Sequence, residues 1–146
     1  MAERLTVESA RLSLTEHAAE KGREAFRKYG PVIGWTQLQQ ILEDRTLVRY
    51  PCEIQFDAEA LQSGECVFPK PRGTQPEAGF ILCVHPLFAT QLSLVPALVL
   101  YQLVVVNYGE FATAADAEAF GASALGLEAD EFYRRMCEAA DQLTTE

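Results

Sequence analysis

Histidine is nearly missing from this 146-residue chain, which holds only His17 and His85. No second histidine lies at helical spacing from either, so a zinc site built from a pair of imidazoles one helical turn apart is excluded. There is no G-x-S-x-G, no phosphate loop and no Ser/His/Asp set, which removes the common nucleophilic and nucleotide-binding chemistries. Cys52, Cys66, Cys83 and Cys137 are far apart and form no C-x-x-C pair. That spacing speaks against a zinc knuckle or a disulfide framework and for reduced, partly buried thiols in a cytoplasmic protein. Positive charge is also short: 12 Lys and Arg against 21 Asp and Glu give a net charge of −9. Nucleic acid and anionic membrane would both repel such a chain and are not expected as partners. Met1-Ala2-Glu3-Arg4-Leu5-Thr6 opens with mixed charges and no apolar stretch follows, so no secretory signal is expected.

What is present is an ordinary globular composition, 49% apolar and 23% charged, in a length that suits one domain with a real core. Its longest apolar run, Leu92 to Gly109, contains no His, Asp, Glu, Lys or Cys. With Ser93, Pro96 and Gln102 inside it, the run reads as too short and too interrupted for a membrane span of about 20 residues. Ser93 can cap its start, Pro96 fits a first turn, and Asn107 to Gly109 can close it. The run therefore reads as a helix buried on nearly all sides.

Around it the periods are clear. Leu12, Ala18, Ala19, Ala25 and Phe26 make one apolar stripe on a charged helix, with Gly30 as a left-handed cap and Pro31 as the stop. Trp35, Leu38, Ile41 and Leu42 mark a second helix. From Thr46 the period changes to that of strands: one ending Glu53 to Asp57, a second at Glu65 to Phe68 closed by Pro69, and a third from Gly79 to Pro86. A loop rich in Pro and Gly, Lys70 to Gly79, joins the last two. Thr113-Ala114-Ala115-Asp116 has capping-box spacing and opens a helix ended near Gly126. Glu128, Asp130 and Glu131 then start a last helix with Phe132, Met136, Ala139 and Leu143 inward. The expected class is α+β. One domain over 1–146 comprises N-terminal helices (8–44), a small, mostly antiparallel sheet with the buried central helix (46–109), and C-terminal helices (113–144).

The segment from Ile81-Leu82-Cys83-Val84 through Leu98-Val99-Leu100-Tyr101-Gln102-Leu103-Val104-Val105 to Gly109 resembles the core of small zincin metallopeptidases. There an edge strand precedes a helix bearing H-E-x-x-H. Asp116 to Leu125 is similar to the second zincin helix, whose Glu supplies the third ligand. The likeness covers residues 46 to 126 and rests on element order and pattern. It sets Tyr101 at the first His, Gln102 at the general-base Glu and Val105 at the second His, and only Glu118 keeps a metal-ligand type. Gln cannot take a proton from water and Val cannot bind zinc, so the resemblance implies a zincin-like scaffold without the zincin reaction.

The first expectation is thus a non-catalytic domain, with no cofactor and no metal. It would bind a protein or small-molecule partner through a remnant cleft of Tyr101, Gln102, Glu118 and His85. Gln102, the strongly polar side chain in the apolar run, is expected either to bond neighbouring backbone or to line a pocket. A rival is a metal-dependent hydrolase with a rearranged site using His85 and Glu118, joined by Asp116 or Tyr101. A third reading is an assembly domain that docks another subunit or a second copy of itself.

Overall fold

The computed structural model describes residues 6–144, apart from the Arg11 side chain. Of the opening residues read above for a signal, Met1 to Leu5 lie outside the described residues, as do the outer limits 1 and 146 of the expected domain. Thr6 opens helix α1 (Val7–Tyr29) with a capping box: its hydroxyl accepts from Ser9 N, and the Ser9 hydroxyl accepts from Thr6 N. The helix ends at Gly30, but not in the expected left-handed cap, since φ is −78° and ψ −171°. Glycine is required there by contact: a Cβ would stand 2.5 Å from the Phe26 carbonyl oxygen that accepts the Gly30 N–H. Helix α2 (Trp35–Glu43) then buries Leu38, Ile41 and Leu42.

Three short strands form one sheet: β1 (Cys52–Phe56), β2 (Val67–Pro71) and β3 (Phe80–Val84). The spatial order is β1-β3-β2, with β3 antiparallel to β2 and parallel to β1. The sheet is therefore mixed rather than mostly antiparallel. The chain reverses twice, and β3 inserts between its predecessors instead of adding beyond β2, so it meets β1 running the same way. Strand β2 also passes through Pro69 instead of stopping there. The ladder explains why this is allowed. His85 N donates to Cys66 O and Arg72 N to Gly79 O, and the alternation between them places positions 67, 69 and 71 with their backbone N side away from β3. Pro69 and Pro71 thus lose no sheet hydrogen bond, and they remove donors from the free edge.

Two 3-10 turns, Pro86–Thr90 and Leu92–Leu94, lead into helix α3 (Val95–Tyr108). Ser93 is not its cap; Leu94 holds that position without a side-chain bond, and Pro96 lies in the first turn. Val95 to Leu100, Leu103, Val104, Val106 and Asn107 are all buried. Gly109 closes the helix with φ +60° and its N–H on Val105 O. The segment Leu92–Phe111 does reach 20 residues with the hydropathy of a membrane span, contrary to the expectation drawn from its interruptions. Just over half of it is already covered by the rest of the chain.

The cover comes from several elements: Leu38 and Ile41 of α2, Leu82 and Val84 of β3, Phe88, and Ala117, Phe120 and Ala124 of helix α4 (Ala114–Leu125) all join α3 in one core cluster. Helix α4 opens with the expected capping box of Thr113 and Asp116 and ends at left-handed Gly126. Helix α5 (Ala129–Thr144) follows, with Phe132 and Ala139 fully inward and Met136 and Leu143 partly so. Each fully buried Leu or Phe contributes about 1.5–3 kcal/mol by leaving water.

The closest helix pair is α1 and α4, and small residues make it so. A Cβ on Gly22 would lie 2.4 Å from Phe120 O and 2.7 Å from Ser123 Cβ. Asp116, 1% exposed, also accepts the Thr15 hydroxyl of α1 at 2.5 Å, which pins the N-terminal end of α4. A helix-interior glycine costs about 0.5–1 kcal/mol relative to alanine on propensity alone. Gly22→Ala is nevertheless expected to lose about 1–3 kcal/mol, because the two backbones must separate. Urea denaturation measures this, and a variant as stable as the parent would contradict the packing argument.

Candidate functional site

The central helix is well covered except at its C-terminal end. There a groove of about 790 Å³ runs between Val105 to Phe111 on one side and the β2–β3 hairpin on the other, with Phe68, Pro69, Pro71 and Phe80 on the hairpin wall. Leu14 of α1 and Tyr50 complete the apolar lining. Phe111 is 82% exposed and Val105 40% exposed, large apolar side chains left in water at its edge. The volume falls within the roughly 300–1,000 Å³ typical of small-molecule sites.

Asn107 holds the wall of this groove. It is the buried amide of α3: Oδ1 accepts from Arg49 N at 2.9 Å, and Nδ2 donates to Leu47 O at 2.8 Å. The Arg49 guanidinium returns a bond to Asn107 O at 3.0 Å and lies 5.8 Å over the Tyr50 ring. These three bonds tie the end of α3 to the segment entering β1 and fix Arg49 at the groove. The Tyr108 hydroxyl has no partner among the described residues, and burial pushes its pKa up.

A second cavity of about 230 Å³ opens beside the first and shares Arg49, Asn107 and Tyr108 with it. His17, Lys21, Thr46 and Leu47 line the rest. His17 meets Tyr108 edge-on, with ring centroids 5.8 Å apart. Lys21 Nζ donates to Thr46 O at 3.0 Å and pairs with Glu24 at 3.4 Å. The Thr46 turn is held by Asp44, whose carboxylate accepts from Thr46 N, Thr46 Oγ1, the Tyr29 hydroxyl and Lys28 Nζ. Burial alone would raise the Asp44 pKa; these donors outweigh it and hold the carboxyl well below the usual carboxylate range.

Of the residues singled out from sequence, Tyr101 and Glu118 lie near each other, and none of Tyr101, Gln102, Glu118 and His85 lines either cavity described above. Tyr101 stacks on Phe132 of α5, centroids 6.5 Å apart at 14°, and burial, then the nearby Glu118 carboxylate, raises its pKa. Gln102 is half-buried in a separate cavity of about 240 Å³ with Cys66 and Met136, and makes no side-chain hydrogen bond among the described residues. His85 flanks the 3-10 turn after β3, where Nδ1 accepts from Leu87 N at 3.1 Å. Of the three positions aligned with H-E-x-x-H, Val105 alone faces the large groove. Among the described residues no three His, Cys, Asp or Glu side chains form a group able to hold a metal ion. Three of the thiols are not poised for attack: burial raises Cys66 and Cys83 and pushes Cys52 up to about 11. The sequence reading passed over Arg49 and Asn107 as site residues. An apolar Phe111 just beyond the helix cap was the signal available.

Compared with family models, curated proteins and solved structures, the chain matches none.

Asn107 and Gln102 are the two amides of α3, and only one carries structure. Asn107→Ala strands Arg49 N and Leu47 O and is expected to cost about 2–4 kcal/mol, while Gln102→Ala costs less than about 1 kcal/mol. Thermal or chemical denaturation of the pair checks this, and equal losses would contradict the assignment.

Proposed function

We propose that the chain is a non-catalytic binding domain whose ligand lies in the groove between the end of α3 and the β2–β3 hairpin. The observation that carries the reading is the groove itself: about 790 Å³, walled by Phe, Pro, Val and Tyr, with Phe111 and Val105 exposed at its edge. Apolar surface held open to water in one concave place favours an apolar occupant, because its burial is worth about 25 cal/mol per Å². No metal-ligand cluster is found among the described residues, and the titratable side chains along these walls are Arg49, Tyr50, Tyr108 and Glu110.

The scaffold is read as zincin-like on the order of β3, buried α3 and α4, with Glu118 on α4. In that reading the ligand site has shifted about one turn along α3 from the Tyr101 and Gln102 positions towards Val105. A cytoplasmic setting is part of the proposal and rests on four free, separated cysteines.

The neutral fluorescent probe N-phenyl-1-naphthylamine tests the site. It is expected to bind the parent at one site with enhanced emission. Val105→Glu, a charge placed on the groove wall, is expected to weaken binding by about tenfold or more. Gln102→Ala leaves binding unchanged. No binding, or binding lost in Gln102→Ala but kept in Val105→Glu, would overturn the proposal.

A further inference from the structure

We propose that the ligand is an anionic amphiphile, a single acyl chain with a carboxylate head, whose tail fills the large groove and whose head sits in the adjoining cavity of His17, Lys21 and Arg49. The inference rests on reading the large groove as the ligand site and adds the chemistry of its occupant. Three observations lead to it.

The first is the distribution of charge. The chain carries 12 Lys and Arg against 21 Asp and Glu, and two histidines. Yet Lys21, Arg49 and one of those histidines line a single cavity of about 230 Å³, and no carboxylate lines it. In a protein of net charge −9 this nook favours an anion locally. At physiological salt the screening length is about 8 Å, so remote carboxylates weigh little against cations at contact.

The second is unused donor capacity. A guanidinium has five N–H donors, and Arg49 spends one on Asn107 O; it makes no ion pair among the described residues. Lys21 keeps one of its three N–H donors: one goes to Thr46 O at 3.0 Å and one to Glu24 at 3.4 Å, a carboxylate it shares with Lys28, also at 3.4 Å. The Tyr108 hydroxyl has no partner among the described residues. A carboxylate presents two oxygens that match an Arg fork, as a phosphate also does, and can accept from Lys and Tyr as well; it brings the smaller negative charge to a protein of net charge −9.

The third is adjacency. Arg49, Asn107 and Tyr108 line both cavities, so the basic nook directly adjoins the apolar groove. Leu14, His17 and Lys21 are spaced three and four apart on α1, which sets one face of that helix along the passage from apolar to basic. Glu110 lines only the large groove, where a neutral tail would pass it.

Calorimetric titration of the whole chain with decanoate, 1-decanol and decyl phosphate tests the inference. Decanoate is expected to bind about tenfold or more tighter than decanol, and Lys21→Gln and Arg49→Gln are each expected to erase most of that preference. Lys21→Gln leaves the Asn107 bonds intact and so keeps the test open if Arg49→Gln folds poorly. Equal affinity for decanoate and decanol overturns the anionic head while leaving the groove reading standing. Tighter binding of decyl phosphate than decanoate overturns the carboxylate. Binding of none of the three overturns both the head and the groove.

Discussion

A helix apolar on every side must be covered on every side, and the placement of the other elements follows from covering α3. Helix α2 and strand β3 take part of its circumference, α4 and Phe88 more, and Tyr101 is closed off by Phe132 of α5. The mixed sheet serves the same need: with β3 in the middle, Leu82 and Val84 reach the core from the strand flanked on both sides. The α1–α4 contact holds α4 in place, and Gly22 is the position where its closeness is decided. Cover is thinnest in the last turn. Val105 and the chain beyond Gly109 are left against the hairpin with space between, and that space is the groove. The candidate site is thus the part of the central helix that the fold does not finish burying.

The same junction organises the polar groups. Asn107 is buried, so its amide must be satisfied, and it is satisfied by the backbone at Leu47 and Arg49. That brings a guanidinium to the end of an apolar helix. Lys21 arrives by a separate route, through the Thr46 turn that Asp44 fixes. A structural requirement of the core and a turn between α2 and β1 therefore place two cations next to an apolar trough, with His17 beside them.

Much of the architecture could be read from the residues. The near-uniform apolar character of Val95 to Val106 identifies a helix buried on nearly all sides, and Thr113 with Asp116 marks the start of α4 because the capping bonds are local. Sheet order was not legible, since neither the insertion of β3 between β1 and β2 nor the harmlessness of Pro69 is set by local sequence. The choice between the two amides of α3 was not legible either. Gln102 and Asn107 lie five residues apart, about 140° around the helix, and only the neighbours decide which one faces the core. Tyr101 and Val105 share a face but not an environment. One turn of axial rise carries the surface from Phe132 to the open groove. Of the positions set by the H-E-x-x-H alignment, Val105 alone therefore reaches the groove.

The central claim is that the exposed end of α3 is where a ligand is held. Mapping amide chemical-shift changes in the nitrogen–proton NMR spectrum during a decanoate titration tests it most directly. The account predicts the largest changes at Arg49, Tyr50 and Asn107 through Phe111, with Tyr101, Gln102 and Glu118 nearly still. Changes centred on Tyr101, Gln102 and Glu118, or none at any residue, would contradict it.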